Sequence, residues 1–365
     1  MEHFYAAVND ALRVQNRARR RAVERARKRR RGFACAVAAV LILCFLISGF
    51  CVDMFANSNV RTSVITASFK SKGEDFAGRD VRPADQAAVY SVKQSLDIYS
   101  EKAVLWDLDK GIALYEKNSK ARMYPASLTK IMTAVVAVEN IRDLNEEVLL
   151  NEQMFWPVYT MNASTAGFSP DENVRAIDLL YGLLLPSGVE CAAGLAEYVA
   201  GSENAFTDLM NEKAWQLGMK DSHFTNASGL HDENHYSSAS DIAKLFSYAI
   251  YNPVIFEIIT CDRYTTAPTN KHKNGVSFES ILFSKMKSAE FPGGRVLGGK
   301  TGYTNEAGQC LASIAVKNDR LYLLVTAGAS LGAPGGAGGA EGGYGADSLN
   351  VADAFTVYST LCRQE

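Results

Sequence analysis

The spacing of apolar and polar positions changes several times along the 365-residue chain, and each change predicts an element. Gly32 to Val52 holds no charged residue over 21 positions. About 20 apolar residues span a bilayer core as a helix, and a core helix of a soluble protein rarely lacks polar residues on every face. Asp53 to Val92 is polar and mixed, with no sustained period, and reads as a linker. Order is expected from near Ile98. Ala103–Leu108 predicts a strand, Asp109-Lys110-Gly111 a turn and Ile112–Tyr115 a returning strand, together a hairpin. A helix is expected to open near Ser127, where the apolar run Ile131–Val138 begins, and mixed segments follow from Asn140 to Asp171. Val174–Leu185 is apolar-periodic and reads as a helix, interrupted by Pro186-Ser187-Gly188. Cys191–Ala200 and Ala205–Leu217 read as two more helices, the second closed by Gly218. Ser238–Asp241 has the capping-box spacing and opens a helix over Ile242–Tyr251.

The C-terminal part turns to strands. Gly298–Gly302 leads into Gln309–Val316, and Lys317-Asn318-Asp319 turns the chain into Arg320–Ala327. Gly332–Ala346 is rich in Gly and Ala and reads as a flexible loop, without the Lys-Ser/Thr ending of a phosphate cradle. Asn350–Leu361 closes the chain as a helix. A hairpin, then helices, then strands predict an α+β fold whose sheet draws on both chain ends, with a helical insertion between them. No internal repeat is present.

Composition alters this picture mainly at the N-terminus. The apolar content of 47% and charged content of 21% are those of a globular protein. The net charge of -2 hides an asymmetry: residues 1–31 carry 11 Lys/Arg against 3 acids, leaving the remainder strongly acidic. The cluster Arg25–Arg31 lies directly before the apolar span. It puts the N-terminus in the cytoplasm and everything after Asp53 outside. Next to a span, basic residues orient the segment and meet anionic lipid, so nucleic-acid binding is not expected. We read residues 32–52 as a retained anchor; Ala56-Asn57-Ser58 also has the spacing for cleavage of a signal peptide. Of the 7 cysteines, Cys35, Cys44 and Cys51 fall in the span. Cys191, Cys261, Cys310 and Cys362 could form up to two disulfides in an oxidising compartment, or serve as small core thiols. There is no Cys-x-x-Cys.

The chemistry centres on Tyr124-Pro125-Ala126-Ser127-Leu128-Thr129-Lys130. Residues i and i+3 share a helix face, so Lys130 can reach the Ser127 hydroxyl. A lysine serves as base for a serine only when burial or nearby positive charge lowers its pKa, and the apolar run after it would supply that burial. The helix N-terminus favours an alkoxide and a neutral amine alike. A second Ser-x-x-Lys, Ser284 to Lys287, reads as coincidence. His231-Asp232-Glu233-Asn234-His235 lacks the His-Glu-x-x-His order of a zinc helix and reads as a loop, so no metal site is expected. There is no Gly-x-Ser-x-Gly elbow. Asp178, Glu190 and Glu197 read as exposed helix acids rather than a carboxylate pair for glycoside cleavage.

Three motifs occur in order: Ser127-x-x-Lys130, Pro186-Ser187-Gly188-Val189 and Lys300-Thr301-Gly302. This order resembles the serine penicillin-binding enzymes and serine β-lactamases. The flanks are similar to the low-molecular-weight D-alanyl-D-alanine carboxypeptidases: Pro-Ala-Ser-Leu-Thr-Lys-Ile-Met-Thr-Ala, Leu-Leu-Pro-Ser-Gly, Gly-Met-Lys-Asp-Ser-His-Phe-Thr-Asn-Ala-Ser-Gly-Leu and Gly-Gly-Lys-Thr-Gly-Tyr-Thr. The resemblance runs from near Ile98 to the C-terminus. It implies a DD-peptidase/β-lactamase-like fold, an antiparallel sheet flanked by helices with a helical subdomain. It also implies a serine-type carboxypeptidase that removes the terminal D-alanine from peptidoglycan stem peptides, is acylated by β-lactams and needs no cofactor.

Carried over residue by residue, the resemblance makes Ser127 the nucleophile, Lys130 its base and Ser187 a proton relay to the departing amine. Lys300 would meet the substrate's terminal carboxylate. An exposed strand at Thr301-Gly302 would pair with the substrate backbone, and the N–H groups of Ser127 and Tyr303 would hold the oxyanion. One residue departs from the pattern: Val189 stands where the family usually has asparagine, with Glu190 following directly. It motivates an alternative, a catalytically degenerate domain that binds peptidoglycan without turnover. A β-lactamase or esterase on the same scaffold is another. The expected organisation is a basic cytoplasmic tail (1–31), a transmembrane segment or signal anchor (32–52), a linker (53–92) and a catalytic domain (93–365). The expected location is the cell membrane, with a single pass and the catalytic domain outside.

Overall fold

In the computed structural model, which describes residues 96–330 and 348–361, strands from both ends of the chain meet in one antiparallel sheet. β1 (Lys102–Asp107) and β2 (Ile112–Lys117) form the predicted hairpin. A single 3-10 turn, Ala126–Leu128, runs directly into α1 (Thr129–Asn140). Next come β3 (Glu147–Leu150), α2 (Trp156–Met161) and β4 (Glu172–Arg175), then α3 (Ala176–Leu184), α4 (Val189–Ala200), α5 (Glu203–Gln216), α6 (Ala239–Ala249) and α7 (Pro253–Ile259). A small ribbon, β5 (Arg263–Thr265) with β6 (Ser277–Glu279), and the single turn α8 (Ile281–Ser284) lead back to the sheet. There β7 (Glu290–Phe291), β8 (Gly294–Thr304), β9 (Gly308–Lys317) and β10 (Arg320–Ala329) follow, and α9 (Leu349–Leu361) ends the described chain. The sheet order is β2-β1-β10-β9-β8-β7.

The central strands read as continuous apolar runs because both faces of the sheet are covered, and successive side chains point to opposite faces. Val104, Ile314, Leu323 and Val325 pack into the core shared with the helical insertion. Their neighbours Leu105, Ala315, Tyr322 and Leu324 pack with Val351, Val357 and Tyr358 of α9. The pairing Leu105↔Leu324 puts the first and last strands side by side. Two polar clamps fasten α9. The Asp353 carboxylate accepts from Tyr99 N (2.8 Å), Ser100 N (2.7 Å) and Ser100 Oγ (2.5 Å). The Lys317 ammonium donates to the carbonyls of Tyr358 and Ser359 at 3.1 and 3.0 Å, where the negative end of the α9 dipole lies.

The α+β expectation and the two-ended sheet are borne out. So are the hairpin, the break at Pro186-Ser187-Gly188, the cap at Gly218 (φ +66°) and the Ser238 cap, whose side chain accepts from Asp241 N at 3.2 Å. The helix expected over Val174–Leu185 is corrected. Val174 and Arg175 belong to β4, pairing with Val148 and Glu147, and the helix starts at Ala176. The apolar periodicity ran on through the strand because Val174 is buried against the same core. The helix expected from Ile242 to Tyr251 instead covers Ala239–Ala249. The expectations for residues 1–31, 32–52, 53–92 and Gly332–Ala346, and for Cys362, lie outside the described residues. Cys191 and Cys310 are buried free thiols, as the core-thiol reading expects, and Cys261 is a half-buried free thiol outside the fully buried core.

Candidate active site

Pro125 (φ −76°) precedes the 3-10 turn that carries Ser127, and the turn feeds α1 without a break. This brings Lys130, in the first turn of α1, back over the serine: its Nζ lies 3.0 Å from Ser127 Oγ. Lys130 is 1% exposed. Its amine also donates to the Ser228 carbonyl at 2.7 Å, which anchors one hydrogen and leaves the nitrogen directed at the serine. Burial pushes its pKa down to about 7, against the opposing pull of Glu190 and then Cys191. Near neutral pH a large share of Lys130 is therefore an amine able to accept the Ser127 proton.

The Ser228 carbonyl is aimed by its own turn. The Asn226 side-chain oxygen accepts from Ser228 N (3.2 Å), Ser228 Oγ (3.2 Å) and Gly229 N (2.7 Å), and Asn226 Nδ2 donates to the Leu230 carbonyl at 2.9 Å. Thr133 Oγ1 donates to Ala227 O at 2.6 Å and ties the turn to α1.

The second pair comes from distant segments. Ser187 lies between α3 and α4 with φ +72°, a left-handed conformation that non-glycine residues rarely adopt. Its hydroxyl accepts from Lys300 Nζ of β8 at 3.0 Å, and the same ammonium donates to the Thr301 carbonyl at 2.9 Å. Lys300 is as buried as Lys130. Burial holds its pKa well below the usual lysine range, and the charges of Lys130 and Lys285 push in the same direction. An anion brought to this nitrogen would reverse that push and favour its charged form. The effect of Lys130 on Lys300 puts both serine–lysine pairs in one electrostatic site.

β8 closes the site from the sheet side. A Cβ at Gly302 would lie 3.1 Å from Ser127 N and 3.2 Å from both Ala126 Cβ and the Pro125 carbonyl, so a side chain there would press the serine turn away by a few tenths of an ångström. β7 pairs with β8 only at Gly294 and Arg295, so among the described residues the outer edge of β8 beyond them has no strand neighbour. The expectation of an exposed strand at Thr301-Gly302 is corrected: both residues are buried. The serine turn covers Gly302, and the backbone edge without a strand neighbour is what remains open. Tyr303 is 63% exposed, and its phenol donates to Asn305 Oδ1 at 3.0 Å.

The structure thus gathers Ser127, Lys130, Ser187, Lys300, Thr301 and Gly302, with Tyr303 on the rim. Sequence reasoning misread two acids. Asp178 and Glu190 are fully buried, and only Glu197 is exposed. Asp178 accepts from Arg175 Nε (2.7 Å), Arg175 Nη2 (2.9 Å) and the Tyr264 hydroxyl (2.6 Å). Glu190 Oε1 accepts from Thr165 Oγ1 (2.8 Å) and Ala166 N (2.6 Å), and burial raises its pKa.

Ser284 does not form a second site, since its hydroxyl donates to the Ile281 carbonyl at 3.0 Å. The stretch from His231 to His235 is a loop, as expected. Thr225 N donates to His235 Nδ1 at 3.1 Å, so Nε2 carries the proton and donates to Thr129 Oγ1 at 2.7 Å. Burial lowers the His235 pKa to about 4, which keeps the ring neutral. His231 points elsewhere, edge-on to the Tyr124 ring at 4.7 Å between centroids. Ser228 and the Asn226 turn were not singled out as part of the site, although the run Asn226-Ala227-Ser228-Gly229 has the composition of a side-chain-bonded turn.

Comparison with known proteins finds a match over residues 88–330 to the family described as D-alanyl-D-alanine carboxypeptidase. D-alanyl-D-alanine carboxypeptidase DacF of Bacillus subtilis is 34% identical over 236 residues, covering 63% of this chain and 58% of that protein. DacB2 of Mycobacterium tuberculosis, a D-alanyl-D-alanine carboxypeptidase, is 30% identical over 251 residues, covering 68% of this chain and 79% of its own. A crystal structure of a D-alanyl-D-alanine carboxypeptidase from Mycobacterium tuberculosis superposes with a TM-score of 0.59 at 25% identity, covering 76% of this chain and 94% of that one. A Streptomyces DD-transpeptidase shares the fold, with a TM-score of 0.61 at 24% identity, covering 73% of this chain and 98% of its own.

Proposed function

The chain belongs to the D-alanyl-D-alanine carboxypeptidase family, and from that premise we propose that it removes the C-terminal D-alanine from peptidoglycan stem peptides through a serine acyl-enzyme. The same serine is acylated by β-lactams. The observation that carries this reading is the buried Lys130 amine 3.0 Å from Ser127 Oγ, next to a second serine–lysine pair in the same site.

The stem peptide pairs with the outer edge of β8 as an added strand, and its terminal carboxylate meets Lys300. Ser127 Oγ attacks the carbonyl between the two D-alanines while Lys130 takes the hydroxyl proton. The N–H groups of Ser127 and Tyr303 hold the oxyanion. The C–N bond breaks as the proton held by Lys130 is relayed through the Ser187 hydroxyl to the departing amine, which leaves Lys130 neutral again, and free D-alanine leaves. A water molecule, giving a proton to Lys130, then attacks the ester, the C–O bond to Ser127 breaks, and Lys130 returns that proton to Ser127 Oγ as the shortened peptide leaves.

The expected anchor fits this substrate. Residues 32–52 would hold the domain at the membrane, with the basic tail in the cytoplasm and residues 93–365 outside, where peptidoglycan lies. Protease treatment of intact cells is expected to remove the domain and spare the tail. Protection of the domain would refute that arrangement.

The activity is tested by D-alanine release from diacetyl-Lys-D-Ala-D-Ala by the full chain in detergent, beside Ser127→Ala. Release by the parent and loss to the uncatalysed rate in the variant are expected. Val189, where the family usually has asparagine, favours one other reading, a domain that binds peptidoglycan without turnover. Stoichiometric penicillin acylation of Ser127 with no D-alanine release would establish that reading instead.

A further inference from the structure

Ser187 occupies a costly conformation. Left-handed backbone in a non-glycine residue is unfavourable by about 1–3 kcal/mol and persists only where the surroundings over-determine it. The residues that do so here are Ser164–Gly167, a strap that crosses the Ser187–Val189 turn. Val189 N donates to the Ser164 carbonyl at 2.9 Å. Ala166 packs directly over the turn: a Cβ at Gly188 would lie 2.9 Å from both Ala166 N and Ala166 Cβ.

The strap has one further attachment, Glu190 in the first turn of α4. Its Oε1 takes both the Thr165 hydroxyl and the Ala166 amide, and the Thr165 hydroxyl in turn accepts from Gly167 N at 3.0 Å. Glu190 is fully buried, and its Oε2 has no hydrogen-bond partner. A lone structural acid at this position would be a poor choice, because burying a carboxyl with one oxygen unpaired costs stability that an apolar residue would not. The side-chain and backbone donors of Thr165 and Ala166 that offset that cost both belong to the strap over the serine turn.

We propose that Glu190 is a positioning residue: its carboxyl fastens the Ser164–Gly167 strap across the Ser187–Val189 turn and so keeps the Ser187 hydroxyl on Lys300. The role rests on the function proposed above. It predicts that Glu190 supports acylation through the oxygen that accepts from the strap; its charge, which pulls the Lys130 pKa up, works against the base and is not what the rate depends on. In Glu190→Gln the amide oxygen still accepts from Thr165 and Ala166, whereas Glu190→Ala releases both donors.

The test is the rate of acylation of the full chain by a fluorescent penicillin, with D-alanine release measured in parallel. Glu190→Ala is expected to slow acylation about 100-fold, the scale of a misplaced reacting group. Glu190→Gln is expected to recover the rate to within about threefold, since the accepting oxygen is kept. Thr165→Val, at an exposed position that does not threaten folding, should lose part of the rate, and adding it to Glu190→Ala should cost nothing more. Parent-like acylation in Glu190→Ala overturns the proposal, and so does equal loss in the Gln and Ala variants, because charge would then be what matters. Amide hydrogen exchange at Ala166 separates this proposal from the function it rests on. If the parent itself is not acylated, the proposed function falls. The brace then stands if Ala166 exchanges faster in Glu190→Ala and falls if it does not.

Discussion

The two serine–lysine pairs have the same separation, 3.0 Å, and are built in opposite ways. Ser127 and Lys130 are three residues apart, and one turn of backbone makes their contact. Ser187 and Lys300 are 113 residues apart and meet only because the α3–α4 turn and strand β8 reach the same place. The local pair needs one turn of regular structure and a buried surround. The distant pair needs a strained serine, a strap, a glycine that lets β8 approach, and the whole sheet behind it. On the proposed function, nucleophile and base sit on the local pair and substrate recognition on the assembled one.

That division can be broken at either pair. Lys130→Met keeps the buried volume and removes the base, and we expect the acylation rate to fall about 1,000-fold, within the range for loss of a general base. The fold should remain intact, as checked by circular dichroism. A fall of less than about tenfold would mean that another group takes the Ser127 proton.

A change of pH addresses the same pair more gently. Burial holds Lys130 at about 7, and the reactive form is the neutral amine. Acylation should therefore reach its plateau above neutral pH and lose about tenfold for each unit below the Lys130 pKa. The linked stability effect has a definite sign. The native state binds fewer protons than the unfolded state between about 7 and the ordinary lysine value of 10.5, so the Lys130 contribution rises with pH across that window. A pH–rate profile that is flat from 8 to 5 would contradict the lysine-base reading.

The smallest expected change sharpens the other pair. Ser187→Gly removes the left-handed strain and the hydroxyl together. Stability should rise by about 1 kcal/mol, the low end of such strain and partly offset by the freedom of glycine in the unfolded chain. Turnover should drop at the same time. A rise in melting temperature with lost activity would show that the strain is kept for function, whereas unchanged activity would remove Ser187 from the reaction.

Legibility in the sequence follows the same contrast. The local pair could be read because helix geometry fixes what lies three residues ahead. The break at Pro186-Ser187-Gly188 and the two-ended sheet could be read from periodicity and turn residues. That Ser187 and Lys300 belong to one site came only from resemblance, and their contact appeared only in the structure, because no spacing rule links a turn to a strand so far away. The strap and the ribbon β3–β4 were missed for a related reason. Four-residue strands that pair only with each other carry too short a period to register against the helices around them. Asp178 and Glu190 were misread because an acid is burial-competent only through its partners. Those partners include Tyr264 for Asp178, and Thr165 and Ala166 for Glu190, all far off in sequence.

The clamp between Ser100 and Asp353 spans 253 residues, which also bears on the order in which the molecule comes into being. Closing so large a loop is slow, and strands that wait for distant partners pair last. As the chain emerges from the ribosome, α1 and the insertion are complete long before β8, β9 and β10 exist. On the proposed function, the nascent protein therefore carries Ser127 and Lys130 for some time without the strand edge and the Lys300 side chain that would hold a peptide, and reactivity toward a bound substrate would begin only when the last strands slot in beside the first.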